Sequence, residues 1–181
     1  FYGTAREPRL LPGVDSAGAP VLIPRYDLIH QTGLDMQLTE GSWLWKLEVI
    51  RRRGQGPTYS ALTGGLEYTF TGVLGTSMDL GLIVEYLYDD RGANTPTPFQ
   101  DDVMMGLRLA LNDVQSSEVL LGVIDDRRSH ARMFNLEASR RIGRHFKLSL
   151  EARAFAGAPA TDPLYVWRRD DYVQLELARY F

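Results

Sequence analysis

The chain has 181 residues, 20 Lys and Arg against 23 Asp and Glu, and a formal net charge of −3. This small and mixed charge argues against a nucleic-acid-binding surface. The absence of cysteine excludes a disulfide framework and thiolate metal sites, and no apolar run reaches the roughly 18–20 residues of a membrane helix. A soluble domain and a membrane β-barrel both remain open, because only every second residue of a barrel strand meets lipid.

The first thirty or so residues are the least regular part of the chain. Phe1-Tyr2-Gly3 resembles the end of a strand. Residues 4–30 carry several Pro and Gly residues, which are typical of irregular structure. We expect a strand stub at 1–3, an extracellular loop at about 4–30 and strands over about 31–181, all within a single domain 1–181.

From about residue 31 onward, apolar and polar residues alternate with the two-residue period of a β-strand. Leu80, Leu82 and Val84, for example, face away from Asp79 and Gly81. The alternation predicts about nine segments of roughly ten residues, the length of a tilted membrane strand, and the stub raises the total to about ten. We therefore expect an all-β fold: an antiparallel up-and-down transmembrane β-barrel, or a soluble β-sandwich or lipocalin-like barrel, because alternation alone does not say which face points inward.

The best helical competitor is the segment 134–156, which is rich in Glu, Arg, Leu and Ala. Its apolar residues nevertheless fall at steps of two, and Gly143 interrupts it where a hairpin turn would lie. The pattern favours two strands over one helix.

The end of the chain carries the most specific pattern. Val173, Leu175, Leu177 and Phe181 share one face of an alternating segment that closes on an aromatic residue. This segment resembles the C-terminal signature of Gram-negative outer-membrane β-barrels. The resemblance implies an outer-membrane location, contact with the lipid bilayer and lipopolysaccharide, and recognition of Phe181 by the barrel-assembly machinery as an assembly signal. Arg179 departs from the family pattern, which has an apolar or aromatic residue at that position.

Long and short connections alternate along the chain. Residues 157–170, 125–132 and 89–102 form long connections, whereas 142–145 and 40–42 are tight. This order is typical of extracellular loops and periplasmic turns in a barrel whose C-terminus is periplasmic, although 71–77 is not shorter than 51–57. We interpret the chain as the C-terminal portion of a larger barrel, with a complete ten-stranded barrel as the alternative.

If the apolar faces meet lipid, the opposite faces of the strands point into the lumen. The charged residues expected there are Lys46, Glu48, Glu67, Glu85, Arg108, Glu137, Arg141, Lys147, Glu151, Arg153 and Glu176. In a wide barrel such a wall selects solutes by charge. In a narrow barrel the same residues would pair as salt bridges and close the lumen.

Pairs of aspartates lie at strand–loop junctions on the predicted extracellular side. Asp89, Asp90, Asp101 and Asp102 flank a single loop, and carboxylate clusters suit hard divalent cations. These four residues are the candidate metal ligands; no other cofactor is indicated. The alternative is a network in which neighbouring arginines pair with the aspartates and stiffen the loops.

Signals for an enzyme are weak. The sequence contains no GxSxG, HExxH or glycine-rich phosphate loop, and Asp126 with His130 is the one acid–histidine pair that we retain as a catalytic alternative. We expect a porin-like outer-membrane barrel that passes small solutes, or a structural component of an envelope assembly, as a homo-oligomer or in a complex. The alternatives are a barrel enzyme acting on lipid or peptide, and a soluble ligand-binding β-barrel.

Overall fold

The computed structural model describes residues 2–181, with Ala93 described by its backbone only, and in this range the chain forms one antiparallel sheet of ten strands in chain order. The strands are β1 (Tyr2–Val14), β2 (Pro20–Glu40), β3 (Trp43–Arg53), β4 (Tyr59–Phe70), β5 (Asp79–Asp89), β6 (Asp101–Ala110), β7 (Glu118–Asp126), β8 (Arg132–Ile142), β9 (Phe146–Ala156) and β10 (Tyr172–Arg179). Three short 3₁₀ helices, Val73–Gly75, Gly92–Asn94 and Pro163–Trp167, lie in the connections. None of the helices within residues 2–181 has the length and apolar character needed to cross a membrane.

The all-β, up-and-down antiparallel fold is confirmed. The segment 134–156 forms the β8–β9 hairpin, with Gly143 at a φ of 62° in its turn; that left-handed conformation favours glycine. The sheet is open within the described residues, because β1 and β10 each have one neighbour and do not pair with each other.

The predicted loop at 4–30 is wrong. It forms β1 and the first half of β2, which pair continuously from Tyr2↔Thr32 to Val14↔Pro20. Pro8, Pro12, Pro20 and Pro24 all fall in the same alternate set of cross-strand pairs. In antiparallel strands alternate pairs exchange no hydrogen bonds, so prolines confined to one set leave the ladder intact at an edge. Position 1 of the predicted stub lies outside the described residues.

The β1–β2 hairpin extends beyond the rest of the sheet. β2 has 21 residues, of which β3 pairs only with His30–Glu40 and β1 only with Pro20–Thr32. At about 3.3 Å per residue, the part of β2 that β3 does not reach projects roughly 30 Å. Asp27 stabilises this hairpin through Arg9 and Arg25, at 2.9 and 2.6 Å.

The connections fall at two opposite ends of the sheet. One end, which we call the turn end, holds the connections 41–42, 71–78, 111–117 and 143–145, and β10 approaches it with its last residues. The opposite end, which we call the loop end, holds the connections 54–58, 90–100, 127–131 and 157–171. The four pairs of adjacent aspartates are all at the loop end, opposite the Gly143 turn and Phe181: Asp89-Asp90, Asp101-Asp102, Asp125-Asp126 and Asp170-Asp171. This is the arrangement expected from the order of long and short connections.

The strands are staggered relative to one another. A row of cross-strand partners runs from Trp43 through Tyr68, Leu82, Leu107, Leu121, Leu136 and Ala152 to Val173. Trp43 begins β3 at the turn end, whereas Val173 lies next to the start of β10 at the loop end. The row therefore crosses the sheet from one end to the other, which means that the strands are tilted in the way that a sheet needs in order to coil.

Candidate functional site: the charged face and its loop-end rim

The strand register assigns every side chain to one of two faces, because directly paired residues of antiparallel strands point to the same side. Lys46, for example, pairs with Gly65, which pairs with Glu85. The eleven charged residues predicted to line one wall do share a face, which we call the charged face: Lys46, Glu48, Glu67, Glu85, Arg108, Glu137, Arg141, Lys147, Glu151, Arg153 and Glu176. The opposite side, which we call the apolar face, includes Leu47, Leu66, Leu82, Val84, Met105, Leu107, Leu121, Phe134, Leu150 and Leu175.

The apolar face is the more exposed of the two. In β5, Leu82 and Val84 are 38% and 43% exposed, whereas Ile83 between them, on the charged face, is 6% exposed. In β6, Met105 and Leu107 are 51% and 44% exposed. In these two strands the buried side chains lie on the charged face, the reverse of a soluble β-barrel, whose interior is apolar.

The most buried charge in the middle of the charged face is Glu67. It is 6% exposed and pairs with Arg108 at 3.1 Å across β4, β5 and β6. Gly81 lies between them, and a Cβ at this position would stand 2.9 Å from Glu67 Oε1. A glycine here leaves the space that the Glu67–Arg108 pair occupies.

Glu85 is accommodated in a similar way. A Cβ on Gly65 would lie 2.5 Å from Glu85 Cγ and 2.5 Å from the backbone oxygen of Val84. The Glu85 carboxylate lies 3.9 Å from Lys46 Nζ. This ion pair is long and part-exposed, so it holds the two side chains only weakly.

A second polar network lies on β8, β9 and β10. Arg153 pairs with Glu151 at 3.3 Å and donates to Asn135 Oδ1 at 3.4 Å, while Asn135 donates to Glu137 at 2.9 Å. Tyr172 donates its hydroxyl to Glu151. These contacts tie neighbouring strands together along one side of the charged face.

Four of the predicted wall residues have no side-chain partner within residues 2–181: Glu48, Arg141, Lys147 and Glu176. Arg141 and Lys147 are direct cross-strand partners near the turn end. Like charges placed opposite each other in a sheet are destabilising unless water or counter-ions screen them. The charged face is thus partly paired and partly free, and its free charges need an aqueous surrounding.

At the loop-end rim, Asp89 and Asp90 have protein donors as partners. Asp89 binds Arg91 at 2.5 Å, and this hydrogen bond lowers the pKa of the Asp89 carboxyl. Asp90 accepts the backbone N–H of Ser60 at 2.8 Å. Arg91 also lies over the ring of Tyr59 at 3.6 Å.

Asp101 is likewise occupied. It accepts the Tyr86 hydroxyl at 2.8 Å and pairs with Arg127 and Arg128 at 3.2 and 3.3 Å. The hydrogen bond from Tyr86, followed by those arginines, lowers the pKa of Asp101. Asp102 accepts the backbone N–H groups of Gln100 and Asp101.

The four predicted metal ligands, Asp89, Asp90, Asp101 and Asp102, therefore all have protein partners, and the metal site stays a prediction. Arginines and backbone N–H groups supply the positive partners that a cation would have supplied, as in the rim network considered as the alternative. Across residues 2–181, no group of three or more His, Asp or Glu side chains is arranged to hold a metal ion.

Asp102 also belongs to a buried acidic group, which the sequence did not indicate. Asp102 and Asp126 are direct cross-strand partners on the charged face, 0% and 1% exposed, and Asp162 from the connection 157–171 is 6% exposed. One oxygen of each, together with Gln100 Oε1, has no hydrogen-bond partner in the described residues. Burial raises the pKa of the Asp102 carboxyl to about 6, and the charges of Asp126 and Asp162 act in the same direction.

This acidic group lies beyond the apolar band of the sheet. On the apolar face, the band ends towards the loop end at Val103 in β6 and Val123 in β7. The next outward-facing residues of these strands are Asp101 and Asp125. The acidic group is therefore a feature of the rim.

Residues 157–171, which we call the cap segment, fold back onto the charged face near this rim. A row of apolar side chains, Met104, Ile124, Met133 and Phe155, crosses that face just inside the rim. Trp167 of the cap segment stacks on Phe155 with ring centroids 6.4 Å apart. Leu164 is 2% exposed, and Asp162 caps its 3₁₀ helix by accepting the Leu164 N–H at 2.7 Å.

Aromatic side chains gather at both ends of the apolar face. At the turn end, Trp43 contacts Tyr68 at 4.6 Å and Tyr68 contacts Phe70 at 4.7 Å between ring centroids. At the loop end, Tyr86 and Tyr88 stack at 6.2 Å. The apolar face is thus bounded by aromatic rings on two sides.

Arg179, which departs from the pattern of outer-membrane barrels, lies near two aromatic side chains. The Arg179 guanidinium lies 4.8 Å from the Phe181 ring centroid and 5.8 Å from that of Phe146. Phe181 is otherwise fully exposed. The Arg179 guanidinium is therefore within cation–π distance of two aromatic rings.

The structure does not join the Asp126 and His130 side chains. The contact between these residues is a backbone hydrogen bond from His130 N–H to the Asp126 carbonyl, and the Asp126 carboxylate accepts the N–H groups of Arg128 and Ser129. The Asp126 side chain thus shapes the turn that follows β7.

No family model, curated protein or solved structure matches the chain.

Proposed function

We propose that this chain is part of an outer-membrane β-barrel whose apolar face meets lipid and whose charged face lines a water-filled lumen. The barrel passes small solutes by a porin-like route. The observation that carries this proposal is the exposure of Leu82, Val84, Met105 and Leu107 on the apolar face, whereas Glu67 and Ile83 on the charged face are buried. In water such a surface would aggregate, whereas in a bilayer it is the expected one.

Two further observations support a closed barrel in the membrane. The stagger from Trp43 to Val173 gives the strands the tilt that barrels require. The aromatic residues at both ends of the apolar face lie where Trp and Tyr accumulate at the two membrane interfaces. Closure needs further strands or a second copy at the free edges of β1 and β10.

The proposed lumen carries both signs of charge. The pairs Glu67–Arg108 and Lys46–Glu85 reduce its field, whereas Glu48 and Glu176 are unpaired within residues 2–181. A wall fully closed by salt bridges would leave none of these charges free. The partly free wall favours solute passage over the second candidate, a structural role in an envelope assembly with a closed lumen.

The other two candidates have less support. A soluble ligand-binding barrel would place its apolar residues inside, whereas Leu82, Val84, Met105 and Leu107 are exposed here. A barrel enzyme acting on lipid or peptide would need an acid–base pair, and the Asp126 carboxylate is used in a turn.

Planar-bilayer recording of the intact protein tests the proposal. We expect steady conductance, and we expect the triple change Glu67→Gln, Glu85→Gln and Glu151→Gln to shift ion selectivity away from cations, because fixed charges set the field in a confined aqueous path. Glu40→Gln, at the end of β2 on the apolar face, is the matched control and should leave selectivity unchanged. A silent bilayer would contradict solute passage and support the structural role.

A further inference from the structure

The acidic group at the loop-end rim has no positive partner. No arginine or lysine pairs with Asp102, Asp126 or Asp162 in residues 2–181, and each carboxylate keeps one unpaired oxygen. Their other oxygens accept backbone N–H groups: Asp102 from Gln100, Asp126 from Arg128 and Asp162 from Leu164. Asp102 and Asp126 face each other directly across β6 and β7. Burial, and after it the charges of Asp126 and Asp162, raise the pKa of Asp102, so this carboxyl takes up a proton more readily than in water.

The neighbouring charges are already committed. Asp89, two positions beyond Leu87, the β5 partner of Asp102, is paired with Arg91. Arg127 and Arg128, on the loop after β7, bind Asp101, and His130 of the same loop is exposed. Thr95 and Gln100, from the loop between β5 and β6, are uncharged. On the cap segment, Arg168 donates to the Tyr165 carbonyl and Arg169 is exposed, so no ion pair within residues 2–181 reaches the group.

The group also joins two different parts of the fold. Asp102 and Asp126 belong to the sheet, whereas Asp162 belongs to the cap segment. The cap segment begins at Gly157, where a Cβ would lie 2.8 Å from the His130 carbonyl oxygen, and it is further seated by Trp167 on Phe155. Repulsion between Asp162 and the two sheet carboxylates therefore acts directly against the seating of the cap.

We propose that Asp102, Asp126 and Asp162 form a proton-operated latch: the cap segment is seated over the loop end of the charged face while the group holds a proton, and is released as the group ionises. The sign follows from burial. Asp102 is harder to ionise in the seated state than in water, so seating is strongest below about pH 4 and is lost as the pH rises through about 6.

A spin label on the cap segment tests the latch. The chain contains no cysteine, and Val166 is 66% exposed, so Val166→Cys accepts a nitroxide at a single site without disturbing the buried Leu164. In the intact protein with EDTA present, we expect an immobilised label at pH 4.5 and a mobile component that grows with a midpoint near pH 6. The ratio of mobile to immobilised label should rise by up to about a hundredfold, which corresponds to a shift of two pH units.

Variants then identify the group. Asp102→Asn should keep the cap immobilised up to pH 8. Asp162→Asn removes one of the charges that raise the pKa of Asp102, so the rise in mobile label should be smaller and should end at lower pH. Asp170→Asn is the matched control on the same segment, since Asp170 is exposed and outside the group, and should leave the transition unchanged. Should Asp102→Asn fail to fold, Asp162→Asn and the unsubstituted chain still decide the matter.

Three results would overturn the latch. The first is a label mobility that does not change with pH in the unsubstituted chain. The second is a transition in Asp162→Asn that is identical to that of the unsubstituted chain, whether or not Asp102→Asn is also present. The third has two parts: millimolar calcium immobilises the label at pH 8 and EDTA reverses this effect, while in EDTA the label shows no transition with pH. That result would make the group a cation site.

Discussion

The two faces of the sheet differ in how their side chains are satisfied. On the charged face, Glu67 and Arg108 form an ion pair, and Gly81 between them leaves the space for it. On the apolar face, Leu107 and Val84 lie exposed with no covering element in the described residues. The same strands supply both faces, so the difference comes entirely from the two-residue alternation. An apolar face that is exposed, backed by a charged face that holds the buried side chains of β5 and β6, is the arrangement expected under our proposal of a membrane barrel.

The largest expected effect comes from placing a charge on the apolar face. Leu107→Arg and Leu150→Arg should impair insertion, because a mid-bilayer arginine on a lipid-facing strand costs roughly 2–4 kcal/mol. The control is Glu151→Gln, which should insert normally. Glu151 is next to Leu150 in β9 but lies on the charged face. Folded and heat-modifiable protein in the membrane fraction is the measurement. Normal assembly of both arginine variants would mean that the faces are assigned the wrong way round.

The next effect concerns Phe181. Deleting Phe181 should slow assembly or abolish it while synthesis and export continue, since the resemblance to outer-membrane barrels assigns this residue to recognition by the assembly machinery. The yield of heat-modifiable barrel over time is the readout. Arg179→Leu, which removes the contact to the Phe181 ring and restores the family pattern, should assemble at least as fast as the unsubstituted chain. An unaltered yield without Phe181 would count against the resemblance.

The smallest effect concerns the interior of the charged face. Arg108→Gln removes the ionic partner of the buried Glu67 carboxylate, so the free energy of unfolding should fall by about 1–3 kcal/mol. Lys147→Gln, which loses no partner within residues 2–181, is the matched control and should be neutral or stabilising, because it relieves Arg141 opposite. Denaturant unfolding in the same lipid compares the two. Equal effects would indicate that the ion pair contributes nothing.

Much of the fold could be predicted from the sequence because alternation is a local signal. The assignment of Leu80, Leu82 and Val84 to one face and Glu85 to the other depends on spacing alone. The prolines at positions 8, 12, 20 and 24 misled the prediction of a loop, since a proline is tolerated in a strand when its missing N–H falls at an unpaired edge position. That condition depends on which strands are neighbours, and no local pattern contains it.

The contacts at the loop-end rim were harder to predict than the residues of the charged face. Asp89 and Asp101 were correctly placed at one end, but their partners Arg91, Arg127 and Arg128 come from two different loops. The acidic group needs Asp102, Asp126 and Asp162 from three separate segments. Only register and loop packing bring them together, so the spacing of charges along the chain gave no sign of it.

One measurement tests the central claim, that the apolar face meets lipid, most directly. Because the chain has no native cysteine, single cysteines can be placed in turn at positions 103–109 of β6 and spin-labelled in the protein reconstituted in lipid vesicles. We predict that collisions with lipid-soluble oxygen peak at 105 and 107, and that collisions with a water-soluble nickel chelate peak at 104, 106 and 108. The reversed alternation, or no alternation at all, would contradict the account.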